Sequence, residues 1–479
     1  MELRRLHALV HPCRVAALGL AAVFTASACG TGSEDADDGE TSVADGSGTA
    51  TTTAPGTSAT TTSGEDGDTT GPGPDDSGST GDPPDPPPPS AACEDFELPP
   101  RPGATIVVSP GPDGTVMVDG NSMTLRQAVS SAASGDTILL QDGTYVLPEA
   151  GDGEYTGLYM STPDVTLRSE SGDPQAVVID GAYVSQGNGS APITIDATGV
   201  VVADITVQRS IFHLIHIWAG GDGAIIHNVD LVDGGQQFLK SSVNDGTVDD
   251  VEVSCSRFSM TPDGRDNVWG YGPPDGGTTC YTGGIDTHNA RNWTVHDSHF
   301  EGIYCDATGV QRPAHGQFPE LRDGMTYNGG LAEHGIHMWD SEQGTGHTIA
   351  RNRIVDCARG IGIGLVDTVY GTRVVNNMIT STHAGSGEHD VGIIVERAVD
   401  TVVAHNSVVL THADAYPNAI EYRWAETTDL VLHGNLTNQA ITARDSATAM
   451  DTDNLDTADA GWFTDAAAGD LHLADCDAP

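Results

Sequence analysis

Two short hydrophobic patterns alternate along the chain from residue 158 onward. In the first, apolar residues occupy alternate positions, as in Ile193-Thr-Ile, Ile215-His-Ile and Ile336-His-Met. In the second, an apolar residue is followed by Asn or Ser three positions later and by another apolar residue two positions after that, as in the run from Ile349 to Ile354. A period of two predicts β-strands with one buried face. Because the patterns recur at a period of roughly 25 residues, we expect a solenoid whose coils bury their inward residues against one another.

The polar position of the second pattern is restricted to two residue types. It holds Ser256, Ser298, Asn352, Asn377, Asn406 and Asn435 in successive coils. Stacked Asn or Ser side chains can hydrogen-bond from coil to coil, and Asn tolerates the left-handed backbone of a tight bend. We therefore expect a polar ladder at one corner of the solenoid.

An amphipathic helix is predicted ahead of the coils, from Thr124 to Ala133, and a β-rich run follows from Gly135-Asp-Thr-Ile. Together with the alternating strands and the closing segment Gly461-Trp-Phe-Thr-Asp, this pattern resembles the right-handed parallel β-helix of the pectate-lyase-like superfamily over about residues 103 to 475. The resemblance implies an all-β, single-domain solenoid with an N-terminal capping helix. That fold carries lyases, hydrolases, esterases and passive adhesins, so it implies no single activity.

The first 28 residues have the features of a signal peptide. Arg4, Arg5 and Arg14 precede an apolar run that is too short to span a bilayer and ends in Ala26-Ser-Ala. Cys29 follows directly, as the acylated Cys of a lipobox does, although Ala-Ser-Ala also suits ordinary signal peptidase. We expect an exported bacterial protein, either an outer-membrane or cell-surface lipoprotein with a membrane anchor at Cys29 or a freely secreted protein.

Residues 29 to 92 are dominated by Ser, Thr, Gly, Asp and Pro and contain no Lys or Arg. Such a segment cannot bury enough apolar surface to offset the entropy of ordering it, which predicts a disordered tether. The β-helix domain is therefore expected to occupy residues 93 to 479.

The formal net charge of the chain is −48. Binding of nucleic acid requires clustered cations, so this charge argues against a nucleic-acid partner. The resemblance to the pectate-lyase-like superfamily implies a polysaccharide partner instead. The acid excess favours either a neutral sugar or an acidic one bridged by Ca²⁺. No Asp-x-Asp-x-Asp loop identifies calcium ligands, so no cofactor is assigned and Ca²⁺ stays an open alternative. We expect the protein to be a monomer.

Export permits disulfide bonds. Beyond the leader and Cys29, six cysteines remain: Cys93, Cys255, Cys280, Cys305, Cys357 and Cys476. Cys255 and Cys280 bracket an insertion, and Cys305 and Cys357 occupy similar places on neighbouring coils. This predicts pairs 255–280 and 305–357, with 93–476 joining the two ends, although fifteen pairings are formally possible.

Two insertions interrupt the repeat, with about twenty extra residues between Phe258 and Cys280 and about thirty between Tyr304 and His334. Both precede first-pattern strands of adjacent coils, so we expect them to rise over the same side of the solenoid. Long loops without periodicity commonly form binding walls, and idle surface excursions are the alternative.

Alignment of the first-pattern strands places their outward residues in two columns. The first column reads Tyr159, Thr194, His216, Lys240, Asp286, His337, Gly362, Ile394, Glu421. The second reads Ser161, Asp196, Trp218, Ser242, His288, Trp339, Gly364, Glu396, Arg423. Small residues stand two positions before the last five members of the first column, and we expect them to leave an open floor beside it. They are Gly284, Gly335, Gly360, Gly392 and Ala419.

Chemistry is concentrated in the middle coils. The candidate catalytic residues are Lys240, Asp286, His288 and His337, and Lys240 is the only lysine of the chain. A desolvated Lys or His can remove the proton α to a uronate carboxylate, while a neighbouring group protonates the leaving oxygen. The alternative is a structural ion pair between Lys240 and Asp286 that caps the sheet.

The resemblance implies a further comparison, because Lys240 looks like the Lys base of alginate and chondroitin lyases on this fold. The Arg partner of such a base is not identifiable, and Arg265, Arg312 and Arg322 in the insertions are the candidates. The three-Asp cluster of polygalacturonase-like proteins is not found in the sequence.

Substrate contacts are predicted on both sides of these residues. His216, Trp218 and Trp339 are candidates to bind sugar rings, and Glu396, Glu421 and Arg423 are candidates for a further subsite. Asp286, His288 and His337 also match a two-His, one-carboxylate metal set, although Lys240 would repel a dication.

The leading interpretation is an exported polysaccharide lyase that cleaves a uronate-containing glycan by β-elimination in the groove. A glycan-binding or structural β-helix without catalysis, and a glycoside hydrolase, are the alternatives.

Overall fold

The structure is a computed structural model. It describes residues 91–475 except 152, 188–190, 243–245, 269–279, 306–309, 313–324, 328–331, 383–388 and 412–416. The predicted signal peptide, Cys29, nearly all of the predicted tether, Arg322 and Cys476 lie outside the described residues. No helix within the described part is both long and apolar enough to cross a membrane.

The chain winds through three long sheets, and each coil contributes one strand to each sheet in turn. Sheet 1 has the strands Thr105–Pro110, Val116–Val118, Asn121–Met123, Thr137–Leu140, Thr166–Ser169, Val201–Ala203, Ile225–His227, Glu252–Ser254, Thr294–His296, Thr348–Ala350, Arg373–Val375, Val402–Ala404, Leu430–His433 and Ala449–Thr452. Only its first three strands pair with one another antiparallel.

Sheets 2 and 3 are parallel throughout. Sheet 2 has the strands Gly143–Val146, Val177–Asp180, Thr206–Ser210, Asp230–Gly234, Arg257–Ser259, His299–Glu301, Arg353–Val355, Met378–Ser381, Ser407–Leu410 and Leu436–Thr437. Sheet 3 has the strands Leu158–Met160, Ile193–Ile195, Ile215–Ile217, Leu239–Ser241, Ile285–Thr287, His334–Met338, Arg359–Ile363, Ile393–Glu396, Asn418–Arg423 and Ala440–Ala443. This winding is a parallel β-helix and confirms the predicted fold class.

Short elements complete the architecture. They are the helices Ala91–Glu94, Leu125–Ser130 and Pro262–Asp266, the 3₁₀ turns Pro112–Gly114 and Ala460–Trp462, and the two-stranded pairs Val248–Asp249 with Ala290–Arg291, Val310–Arg312 with Met325–Tyr327, Val369–Tyr370 with Ala398–Val399, and Phe463–Asp465 with Asp470–Leu473. The predicted capping helix is confirmed but shorter, because Thr124 is its N-cap and accepts a hydrogen bond from the Gln127 backbone.

The interior is filled by the inward residues of all three sheets. In one coil these are Ile215 and Ile217 from sheet 3, Ile226 from sheet 1 and Leu231 from sheet 2, and none of the four is exposed. First-pattern strands are the strands of sheet 3. Each second-pattern run instead supplies two strands, one in sheet 1 and one in sheet 2, with its polar residue at the corner between them.

The predicted polar ladder forms at this corner. The Asn377 amide donates to Oδ1 of Asn406 at 3.0 Å, and the Asn406 amide donates to Oδ1 of Asn435 at 3.0 Å. Asn454, which the pattern did not include, adds a further rung at 2.8 Å. The left-handed backbone lies one residue earlier than expected, as at Arg351 with φ 56°. The ladder side chains therefore stay in the interior and satisfy buried polar groups.

The cysteine pairing differs from the prediction. Cys93 is bonded to Cys255 and Cys280 to Cys305, while Cys357 is a buried free thiol. The predicted pairs 255–280, 305–357 and 93–476 are therefore wrong. The reason is that residues 93–101 run back along the outside of sheet 1, so Cys93 reaches the corner at Cys255 rather than the C-terminal end.

This N-terminal segment, which we call the strap (residues 93–101), is held at several points. Phe96 stacks on His227 of sheet 1 with ring centroids 3.9 Å apart. Arg101 donates to Thr166 Oγ1 at 3.0 Å and also contacts the Gly199 carbonyl. The strap thus covers part of the outer face of sheet 1.

Candidate functional site

The register of sheet 3 confirms the alignment behind the first outward column. His216 pairs with Lys240, Lys240 with Asp286, and Asp286 with His337 on consecutive strands. Strands of a parallel sheet lie about 4.8 Å apart, so these side chains are neighbours although they are far apart in the sequence. The predicted catalytic residues are therefore brought together on one outward face.

Asp286 is the centre of this group. Its Oδ2 accepts a hydrogen bond from Lys240 Nζ, and its Oδ1 accepts one from the indole N–H of Trp339. His288 Nε2 lies 3.5 Å from Oδ2, and His337 Nδ1 lies 3.4 Å from Oδ1. We name Lys240, Asp286, His288, His337 and Trp339 the Asp286 cluster.

Burial gives the members of the cluster different access to solvent. Lys240, Asp286 and His337 are buried, whereas 25% of the His288 side chain is exposed. Trp339 is also buried, and its ring stacks on His288 with centroids 4.6 Å apart. The indole binds Asp286 and packs within the protein, and the stacking of Trp339 on a sugar ring stays a prediction.

The cluster is charged despite its burial. Burial by itself would raise the pKa of Asp286, but the Lys240 ammonium and the rings of His288 and His337 hold the pKa of this carboxyl well below its usual range. Burial opposes a charge on His337, yet the neighbouring Asp286 carboxylate and Glu333 raise its pKa above the ordinary value. The ion pair that the sequence left as an alternative role for Lys240 and Asp286 is thus present.

Two further histidines lie on the coil before Lys240, with His216 on the strand that pairs with the Lys240 strand. His216 Nε2 is 2.9 Å from Ser242 Oγ, and His213 Nδ1 is 2.9 Å from the Gln237 carbonyl. Burial and then Lys240 lower the pKa of His213 to about 3, and burial followed by His213 and Lys240 lowers the pKa of His216 well below its ordinary value. Trp218 is half-buried and stacks on His216 with centroids 4.4 Å apart.

The acidic residues of the later coils are used in ion pairs. Arg423 Nη1 lies 3.3 Å from Glu396 Oε1, and Arg423 Nε lies 3.1 Å from Asp445 Oδ2. Glu421 accepts a hydrogen bond from Asn418 at 2.7 Å and one from Arg444. Glu396, Glu421 and Arg423 are all buried. Glu421 lies four strands beyond Asp286 in the register of sheet 3, so the structure does not bring these residues into the Asp286 cluster.

The prediction that the small residues before the first column leave an open floor is wrong. A Cβ on Gly284 would lie 2.8 Å from a ring carbon of Phe300, and one on Gly392 would lie 2.4 Å from Val408. These positions therefore point into the core, because the chain bends at the start of each sheet 3 strand. The residue one position earlier consequently emerges on the outer face, as His334 does beside His337, with ring centroids 4.5 Å apart.

This bend explains which site residues were missed from the sequence. His213 and His334 each precede an outward histidine by three positions, a spacing that strict alternation would place on the opposite face. The repeated His-x-x-His spacing was the available signal. The His334 ring lies over Gly362, where a Cβ would be 2.8 Å from its Nε2, and so occupies the space left by that glycine.

The insertions are only partly described. Arg265 donates to the carbonyls of Met260 and Gly302 at 3.1 and 3.3 Å and stacks over Tyr304, so it secures the base of the first insertion rather than the Asp286 cluster. Arg312 lies in a strand of the second insertion, and its side chain is outside the described part.

Comparisons with known proteins find similar solved structures but no relative in sequence. No protein-family model matches the chain, and no curated protein matches its sequence. Similar solved structures include the Dettilon tailspike protein (gp208), with 13% identity and a TM-score of 0.38 over 72% of this chain and 62% of the tailspike chain, so this chain spans less than two thirds of that protein.

Two lyases are also similar in structure. Pectate lyase Pel9A has 12% identity and a TM-score of 0.32, over 78% of this chain and 90% of its own. The alginate lyase from Paenibacillus sp. str. FPU-7 has 14% identity and a TM-score of 0.36, over 71% of this chain and 98% of its own. At such values the likeness carries no argument about activity, and the parallel β-helix is established by the chain's own three sheets.

Proposed function

We propose that this protein is a carbohydrate-active β-helix that cleaves a uronate-containing polysaccharide by β-elimination at the Asp286 cluster. The supporting observation is the position of His288, a partly exposed imidazole whose Nε2 lies 3.5 Å from the buried Asp286 carboxylate. A carboxylate in this position orients an imidazole and stabilises the cation that forms when it takes a proton.

His288, rather than Lys240, is the base in this proposal. Lys240 is buried and donates to Asp286, so its ammonium is held as a donor and not as a proton acceptor. His288 removes the proton from C5 of the uronate, the electron pair forms the C4–C5 double bond, and the C4–O bond to the leaving sugar breaks. The leaving oxygen takes a proton from solvent. Lys240 donates to the Asp286 oxygen that faces His288 and so holds this carboxylate in position beside the base.

Two other functions compete with this proposal. A glycoside hydrolase requires one carboxyl group as proton donor, and Glu396 and Glu421 are both buried against guanidinium groups in the manner of structural ion pairs. A glycan-binding protein without catalysis is favoured by one observation, the half-buried indole of Trp218 stacked on His216. Binding without cleavage is therefore the second candidate.

A lyase assay separates these candidates. The purified protein is incubated with a panel of uronic-acid polymers, with and without Ca²⁺, and release of an unsaturated, ultraviolet-absorbing product is measured. We expect His288→Ala to lower the rate by about 10²-fold or more. His296→Ala is the matched control, because His296 is also a partly exposed histidine that contacts carboxylates, but on sheet 1.

The outcomes are distinct. An unchanged rate in His288→Ala would overturn the assignment of the base. If no polymer gives a product but carbohydrate is retained on an affinity gel, and Trp218→Ala abolishes that retention, the protein is a glycan-binding module instead.

The proposal includes export and attachment to the cell surface through acylated Cys29. It is supported by the signal-peptide features and the tether composition of the sequence. Labelling of the expressing cells with a palmitate analogue should mark the protein, and Cys29→Ala should abolish the label and release the protein to the medium. Unlabelled wild-type protein in the medium would support free secretion instead.

A further inference from the structure

His334 is a buried histidine with unused hydrogen-bonding capacity. Its relative exposure is 5%, and neither ring nitrogen has a hydrogen-bond partner among the residues that the structure describes. A buried polar group left in this state costs free energy, so an imidazole with two unpartnered nitrogens points to a missing ligand.

Two further ligand groups converge on this ring. One potential ligand atom each from Glu333, His334 and His337 lies within 4.8 Å of the other two. His337 Nε2 is 2.9 Å from the Gly364 carbonyl, which holds the proton on that nitrogen and leaves Nδ1 as the donor atom. Nδ1 faces Asp286 Oδ1 at 3.4 Å without a hydrogen bond of good geometry to any described residue, and a metal ion that binds there displaces the proton from this nitrogen. A backbone carbonyl behind a ligating histidine is a common second contact of metal sites.

We propose that Glu333, His334 and His337 bind a divalent transition-metal ion such as Zn²⁺. Two imidazoles and one carboxylate are a donor set that suits this class of ion, with a further position left for water or a ligand. Ligand atoms of a tetrahedral zinc ion lie roughly 3.3 Å apart. The three ligand atoms here lie within 4.8 Å of one another, so side-chain rotations that move each atom by less than a bond length would bring them to that spacing. Gly283 leaves room beside it, since a Cβ there would lie 2.9 Å from the Cβ of Glu333.

The surrounding charges are compatible with a dication. Arg359 Nη1 lies 3.9 Å from Glu333 Oε2 and Arg359 Nε lies 3.3 Å from Asp390, so Arg359 keeps a carboxylate partner when Glu333 turns to a metal. Asp286 Oδ1 lies 3.4 Å from the His337 nitrogen that would bind the metal, and this carboxylate partly offsets the added positive charge. The trio predicted from the sequence, Asp286, His288 and His337, is less suited, because Lys240 and Trp339 already bind the Asp286 oxygens.

The test is a metal titration of the full chain without a histidine tag. Zn²⁺ binding is measured by calorimetry, and Co²⁺ is used as an absorbing probe of coordination. We expect one tightly bound ion per chain, and a loss of affinity of at least about tenfold in His334→Ala and Glu333→Gln. His213→Ala is the matched control, because His213 is also buried three residues before an outward histidine but follows Phe212 rather than an acid. The affinity of this variant for Zn²⁺ should equal that of the wild type.

The control variants keep the test decisive. Glu333 is only half-buried, so Glu333→Gln should fold even if His334→Ala does not. Binding that is unchanged in both variants, or wild-type protein without saturable Zn²⁺ or Co²⁺ binding, would overturn the proposal. The titration needs no polysaccharide, so its failure leaves the proposed lyase activity untouched, and the failure of that activity leaves the metal site untouched.

Discussion

The side-chain amide of Asn377 donates to Oδ1 of Asn406, 29 residues further along the chain, and its own Oδ1 accepts from the backbone and side chain of Asn352. Replacing Asn377 by Ala leaves these buried groups without partners, so we expect the free energy of unfolding to fall by about 2–4 kcal/mol. Urea unfolding measures it. Asn454→Ala, at the partly exposed last rung, should cost less, and equal losses at both positions would contradict a cooperative ladder.

Breaking the ion pair of the Asp286 cluster should be costly. Lys240→Met leaves the buried Asp286 carboxylate without its ammonium partner, and we expect a loss of about 3 kcal/mol in the free energy of unfolding. The double variant Lys240→Met with Asp286→Asn should recover part of this loss. Glu426→Gln is the control, because Glu426 and Arg397 form an exposed pair 3.6 Å apart, and its cost should stay below about 1 kcal/mol. Equal losses in Lys240→Met and Glu426→Gln would mean that the cluster is solvated.

Acid should destabilise the fold through a buried histidine. Burial lowers the pKa of His347 to about 4, while the unfolded chain binds this proton at about pH 6.5. The unfolded state therefore binds more protons between these values, and the free energy of unfolding falls as the pH drops from 6.5 to 4, by about 3 kcal/mol for this group.

The variant His347→Gln isolates that contribution. Gln can accept from the backbone N–H of Trp293 and donate to the backbone carbonyl of Asp340, as the imidazole does at 3.2 and 2.8 Å. Urea unfolding from pH 7 to pH 4 should show a shallower decline for this variant than for the wild type. Identical slopes would show that His347 does not contribute to the pH dependence.

The thiol of Cys357 should be protected in the folded protein. It is buried, and burial raises its pKa, so little thiolate forms at neutral pH. We expect peptide mapping by mass spectrometry to find Cys357 unlabelled by iodoacetamide under native conditions and labelled after unfolding, with cross-linked peptides 93–255 and 280–305. A peptide that joins residues 305 and 357 would contradict this pairing.

The sequence determined the winding and the register because both rest on strict periodicity. Ile215, Ile285 and Ile336 mark the inward row of sheet 3, and a slip of one residue would expose each of them. This register therefore places Lys240 next to Asp286 on the adjacent strand. The same reasoning located the Asn ladder, since its residues recur at a fixed distance from the apolar positions.

What escaped prediction depends on local bends and on burial. Alternation assumes a straight strand, so it put Gly335 outside and His334 inside, whereas the bend at the start of the strand reverses both. Exposure could not be read from the pattern either, and Trp339 turned out to be covered. The disulfide between Cys93 and Cys255 depends on the path of a segment without periodicity, which no repeat could reveal.

The strap and its disulfide also decide how the molecule would carry mechanical load. Because Cys93 is covalently joined to Cys255, a pull applied to the chain before residue 93 reaches the solenoid at the corner near Cys255 and bypasses the 162-residue stretch between them. The coils before Cys255 would then bear no tension. The force would enter at the corner between sheets 1 and 2, near the strands that carry Lys240 and Asp286. Reduction of this single bond would redirect the same force to the first strands, which would peel off one after another.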